Sequence, residues 1–171
     1  MKIKQPILIV VLALVVGSFG TVHAFRKEPE GFRGIKWGTH IDKCKDLYFL
    51  GVSDVWTRYQ RNNENLKIGE ATVQQIEYYF YKNRFHSARV RFFGEQNLLD
   101  LRKTLSQAYG KGITHVRGYA VEYQWHGSKV DINIEYDNIS KKGSLVYTYL
   151  PISAELAKDR KKQAIEGKDA L

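Results

Sequence analysis

From Thr72 to Phe93 the chain reads TVQQIEYYFYKNRFHSARVRFF, and its apolar positions fall on alternate residues. Ile76, Tyr78 and Phe80 interleave with Glu77, Tyr79 and Tyr81; beyond Lys82-Asn83-Arg84, Ala88, Val90 and Phe92 interleave with Ser87, Arg89 and Arg91. A period of two marks strands with one buried face, so the stretch predicts a β-hairpin that turns at 82–84. The same period returns later. Tyr119–Trp125 predicts a strand, His126-Gly127-Ser128 a turn, and Lys129–Tyr136 a strand with Val130, Ile132 and Ile134 inward. After a turn at Lys141-Lys142-Gly143 comes a strand over Leu145–Leu150, and Pro151 stops the sheet. Nearer the start, VWTRY (55–59) reads as a short strand followed by the turn-rich RNNENLKIGE.

Two stretches carry a helical period instead. Leu98, Leu101, Leu105, Ala108 and Tyr109 recur at i, i+3, i+7, i+10 and i+11 after the start signals Asn97 and Asp100, and Gly110 ends the run. In GFRGIKWGTHIDKCKDL (31–47), Thr39 and Asp42 form a version of a capping box, and Ile41, Cys44, Leu47 and Tyr48 line one stripe. That predicts a helix over about His40–Tyr48 closed by Gly51, preceded by a short strand in which Gly34 acts as a bulge. The lysine-rich end, Ser153–Leu171, has helical composition but few apolar residues and predicts a frayed helix. The fold class that results is α+β: a mostly antiparallel sheet with two helices packed on one face, and a weak internal strand-helix-strands repeat.

The first 24 residues stand apart. Lys2 and Lys4 precede an apolar run from Ile7 to Val16, and Val22-His23-Ala24 suits cleavage before Phe25, the order of a secretory signal peptide. The run is short of the roughly 20 residues a spanning helix needs, so no stable transmembrane span follows cleavage; the alternative is an uncleaved N-terminal anchor. This divides the chain into a leader (1–24), one domain (25–151) and a basic tail (152–171). Loss of Lys2 and Lys4 lowers the formal charge from +9 to +7. A basic exported protein, periplasmic or secreted, meets an envelope protein or an anionic envelope component, whereas cytoplasmic nucleic acid is out of its reach. Cys44 is the single cysteine and has no partner for an internal disulfide. On the predicted helix it turns inward, inert, and His40 four residues earlier adds a second ligand at most, too few for a closed metal site.

The segments GFRGIKWGTHIDKCKDL, YGKG and VEYQWHGSKVDINIEY resemble a loosely defined set of small exported bacterial α+β proteins that open F-x-G-I-x-W-G. In layout the chain is also similar to β-lactamase-inhibitor-like modules and to small outer-membrane assembly lipoproteins, though it lacks an acylated cysteine. The resemblance implies a periplasmic, non-catalytic binding or assembly role.

Motifs for chemistry are missing from the sequence: there is no H-E-x-x-H, G-x-S-x-G, Walker loop or Cys-x-x-Cys, and nothing calls for a cofactor or a metal. YGKGIT follows a helix and reads as its stop. Glu122, Asp131 and Glu135 share the outward parity of neighbouring strands and, with His126, support the alternative of an envelope hydrolase. The more specific surface is the outward face of the central hairpin, where Tyr79 and Tyr81 stand beside Arg89 and Arg91. Arginine stacks on tyrosine while still presenting donors to an anion, and both residues are enriched at interfaces. These four are the candidate binding residues.

Overall fold

The computed structural model describes residue 25 and residues 27–169, with side chains described through residue 166; the expected leader lies outside the described residues. Strands β1 (Gly31–Phe32) and β2 (Ile35–Lys36) form a small hairpin. Arg33 and Gly34, at φ 48° and 82°, make its two-residue turn, a twist that matches right-twisted strands. Gly34 is thus a turn residue, not a bulge within one strand.

No α-helix forms over His40–Tyr48. Ile41–Lys43 make a 3-10 turn, capped by His40 Nδ1, which accepts from the Asp42 amide at 3.4 Å, and β3 (Leu47–Ser53) then pairs with β4 (Trp56–Arg61). A nine-residue helix closes few hydrogen bonds for the residues it fixes, and the strand pairing satisfies more of the backbone. Tyr48, expected inward, is 42% exposed on this edge strand, its hydroxyl donating to Gln60. Cys44 is nonetheless buried. Burial pushes its thiol up, the Asp46 carboxylate adds to this and Arg61 opposes it, so the unreactive protonated form dominates. The His40 ring is turned to Asp42, at 3.1 Å.

A second small hairpin, β5 (Lys67–Ile68) and β6 (Ala71–Thr72), leads into the predicted one, β7 (Gln75–Tyr81) and β8 (Arg84–Phe93). Lys82 and Asn83 turn it with φ 46° and 62°. Helix α1 (Glu95–Tyr109) follows, burying Leu98, Leu101 and Leu105, each contributing roughly 2 kcal/mol on the usual scale for a buried leucine. Then come β9 (Ile113–Arg117), β10 (Ala120–His126), β11 (Val130–Asp137) and β12 (Lys142–Tyr149), and the chain ends in α2 (Leu150–Asp169).

Eight strands make one antiparallel sheet in the order β3-β4-β7-β8-β12-β11-β10-β9. It is two meanders joined side by side: α1 carries the chain from β8 to the far edge, and β12 returns to pair with β8, Val146 opposite Arg89 and Ser144 opposite Arg91. The core lies on the face carrying Tyr78, Phe80, Val90, Leu145 and Ile134, beneath α1 and the β1–β2 hairpin. Phe92 and Tyr136 stack at 6.0 Å on either side of Gly143, where a Cβ would stand 2.2 Å from the Phe92 ring. Glu28, ahead of β1, closes the β10–β11 turn by accepting from the amides of Ser128, Lys129 and Val130. Partial burial works against its ionisation, but these bonds outweigh it and hold the carboxyl below its ordinary value.

The class is the expected one, α+β with a mostly antiparallel sheet and two helices, but the helices are α1 and α2 and they do not share a face. Ile152 and Leu156 of α2 pack with Tyr81, Val55 and Trp56 on the side of the sheet away from α1. With strand β3 where the first helix was expected, the strand-helix-strands echo is not repeated. Pro151 falls in the first turn of α2, where its missing N–H costs nothing. No helix among the described residues is long and apolar enough to cross a membrane.

Candidate functional site

Because α1 covers one face and α2 only one end of the other, most of the second face stays open. Its centre is set by register. Arg58 of β4 lies opposite Tyr79 of β7, Glu77 opposite Arg89 of β8, and Arg89 opposite Val146 of β12, and in antiparallel pairs opposite residues share a face.

Glu77 is the unusual member. Its side chain is 3% exposed on the face not covered by α1, and a buried carboxylate persists only where partners compensate for lost solvation. Three groups do so loosely: the Tyr79 hydroxyl donates at 3.1 Å, Arg91 Nη2 donates at 3.4 Å, and Arg58 Nη1 stands 3.6 Å away. Arg89 adds its guanidinium over the Tyr79 ring, 5.3 Å from the centroid. Burial raises the Tyr79 phenol above its ordinary value, Arg89 working against it and Glu77 with it.

A cavity of about 420 Å³ opens above this cluster, lined by Arg58, Arg89, Arg91, Tyr79, Trp56 and His86, among others. His86 is buried at 5% exposure, stacked on Trp56 at 4.5 Å, with Nε2 2.8 Å from Ser153 Oγ of α2. Burial lowers its pKa to about 4, so the ring is neutral. Two buried polar atoms on the cavity residues, His86 Nδ1 and Arg58 Nε, have no partner among the described residues.

Arg89 and Arg91 also border a second cavity of about 770 Å³ over β8, β12, β11, β10 and β9. Its charges are mixed: Arg117 and Lys142 face Glu122, Glu135 and Asp137. The two arginines thus form a ridge between two depressions on one surface.

Of the four residues singled out from sequence, the structure brings Tyr79, Arg89 and Arg91 together. Tyr81 is elsewhere. It keeps the outward parity of Tyr79, but its ring lies under α2 at 5% exposure, its hydroxyl donating to Asp159 at 2.6 Å. Of the carboxylates, Glu122 and Glu135 are paired across β10 and β11 and line the larger cavity. His126 and Asp131 pair with each other at 3.3 Å, away from its lining. Gln124 donates to Glu122 at 2.7 Å and Asn133 to Glu135 at 3.2 Å, so each carboxylate is held by an amide of its own strand. No group of three or more His, Cys, Asp and Glu side chains converges as a metal site among the described residues.

Sequence reasoning missed Arg58, Trp56 and His86. Arg58 shares the outward parity of Trp56 in VWTRY, but nothing local says that this strand pairs with β7. His86 sits at the irregularity where Phe85 and Ser87 face Phe80 and Tyr79, which breaks the alternation used to assign faces. The chain matches no known protein family, and neither curated proteins nor solved structures give a match.

Proposed function

We propose that this protein is an exported, non-catalytic binding module that engages an anionic component of the bacterial envelope through the open face of its sheet. The observation that supports this reading most is the Arg58, Arg89 and Arg91 cluster, gathered from two strands above one buried carboxylate. Guanidinium groups stacked on or packed beside aromatic rings keep their donors directed outward and lose little freedom when they bind. The basic sequence and the leader-like first 24 residues support this reading, since an exported basic surface meets anionic polymers and headgroups.

The test is sedimentation with isolated envelope fragments. The protein is expected to pellet with them at low salt and to be released as salt rises, since exposed charge is screened, and the Arg89→Ala/Arg91→Ala variant is expected to stay in the supernatant. Equal pelleting of variant and wild type would remove the outer face from consideration.

A further inference from the structure

Resting on that reading, we infer that the smaller cavity is a subsite for a phosphate group, held by Arg58, Arg89 and Arg91 with the Tyr79, Ser87 and Thr148 side chains around it. Four observations lead there.

The first is charge. The cluster holds three guanidiniums and one carboxylate, Glu77, which only Arg58 and Arg91 approach, and this leaves two positive charges uncompensated at the cavity, the charge of a phosphate monoester dianion. Among the described residues no carboxylate lines the cavity itself, Glu77 lying beneath it. The second is distance. Glu77 does not use the arginines up: its contacts to Arg58 and Arg91 are 3.6 and 3.4 Å, longer than the 2.7–2.9 Å of a well-made charged hydrogen bond. Among the described residues no carboxylate lies within ion-pairing distance of Arg89, which stacks over the Tyr79 ring. The third is incomplete bonding. Buried polar atoms are almost always satisfied, yet His86 Nδ1 and Arg58 Nε, on two residues of the same lining, are not. The fourth is shape. Arg58 approaches from β4 while Arg89 and Arg91 approach from β8, with β7 between them. Guanidinium donors that converge from two strands on either side of β7 suit the tetrahedral set of phosphate oxygens, whereas a flat carboxylate is held by one guanidinium edge.

The ridge position of Arg89 and Arg91 gives the rest of the ligand its direction. A molecule with its phosphate in the smaller cavity extends over β12 into the larger one, where donors and carboxylates alternate, so its body is polar and hydroxyl- or amine-bearing. A phosphorylated sugar and a phosphorylated lipid headgroup share this chemistry.

The experiment uses two-dimensional NMR of the Trp56 indole and of the Ser87, Arg89 and Val146 amides, titrated with inorganic phosphate, with glycerol phosphate and with acetate. Saturable shifts confined to these groups are expected from both phosphates, with acetate at least about tenfold weaker. Arg89→Gln/Arg91→Gln is expected to weaken phosphate binding about tenfold or more, the fold being checked by its unchanged amide spectrum elsewhere. A second variant, Val146→Glu, sets a carboxylate opposite Arg89 and is expected to abolish phosphate binding without loss of stability. Vesicles of phosphatidylcholine doped with phosphatidic acid separate the sources. If they retain the protein and free phosphate competes, the source is a headgroup; if they do not while glycerol phosphate binds, it is a soluble phosphorylated molecule. Phosphate shifts that fail to saturate, persist in both variants, or are matched by acetate overturn the inference. Should they do so while pelleting with envelope fragments still depends on Arg89 and Arg91, the binding face stands and its phosphate specificity falls.

Discussion

His86 shows how much one side chain can carry that its sequence neighbourhood conceals. It lies in a strand of alternating character, yet it joins the sheet to α2 through Ser153 while its ring stacks on Trp56. Burial holds it neutral with a pKa of about 4, in a cavity that it shares with Arg58 and Arg89. In the unfolded chain it titrates near 6.5. The unfolded state therefore takes up the proton first as pH falls, and stability is complete above about 6.5, declines below it and levels off under about 4. Between about pH 7 and about pH 5 this group is expected to remove about 2 kcal/mol. Urea unfolding of wild type and His86→Gln at both values measures it: the wild type is expected to lose about 2 kcal/mol more than the variant, and parallel losses would contradict the assignment.

At the level of elements, α2 is the part most loosely joined to the rest. Among the described side chains of α2 only Ile152 and Leu156 are buried against the sheet, and the remaining attachment is polar: the hydrogen bonds His86–Ser153 and Tyr81–Asp159 and a set of ion pairs. Lys82 and Arg84, at the hairpin tip, reach Glu155 at 3.3 and 2.5 Å, Lys82 also meets Asp159 at 2.6 Å, and Arg160 pairs with Asp54. Such exposed pairs contribute little each and weaken with salt. Leu156→Ala, removing one of two apolar anchors, is expected to free α2 while the sheet remains intact. Hydrogen exchange would show α2 amides losing protection with β8 and β12 unchanged; uniform loss would mean that helix and sheet unfold together. The same contrast explains what the sequence could reveal. The β7–β8 and β10–β11 hairpins and α1 are legible because each has a marked turn or stop and a period that holds over most of its length, broken only at His86. The segment 40–48 is not, since Ile41, Cys44 and Tyr48 satisfy a helical spacing by coincidence while the deciding factor is a partner strand, β4, that lies outside the window. ITHVR has no apolar alternation and becomes β9 only by pairing with β10. The site follows the same rule: Arg89 and Arg91 are visible from parity within one hairpin, whereas Arg58 joins them only through the β4–β7 register.

Considered as a whole, the molecule is two meanders sealed at the β8–β12 seam, and this arrangement makes the open face broad enough to hold both cavities. It also leaves two outer strands. β3 is bent by the irregularity between Phe49 and Gly51, a device that discourages pairing with another chain. β9 pairs on one side with β10 in unbroken register, all five of its residues are exposed, and Val116 is 70% exposed. Unpaired backbone N–H and C=O groups on such a rim are a template for another strand, and only His115 and Arg117 interrupt its apolar and hydroxyl surface. Concentrated solutions are therefore expected to grow oligomers by rim-to-rim addition at β9, and Val116→Lys is expected to suppress that growth in light scattering while leaving the monomer's melting temperature nearly unchanged. Growth that persists in this variant would assign it to β3. The strand order thus decides where the chain stays dispersed by charge alone and where crowding will find its weakest border.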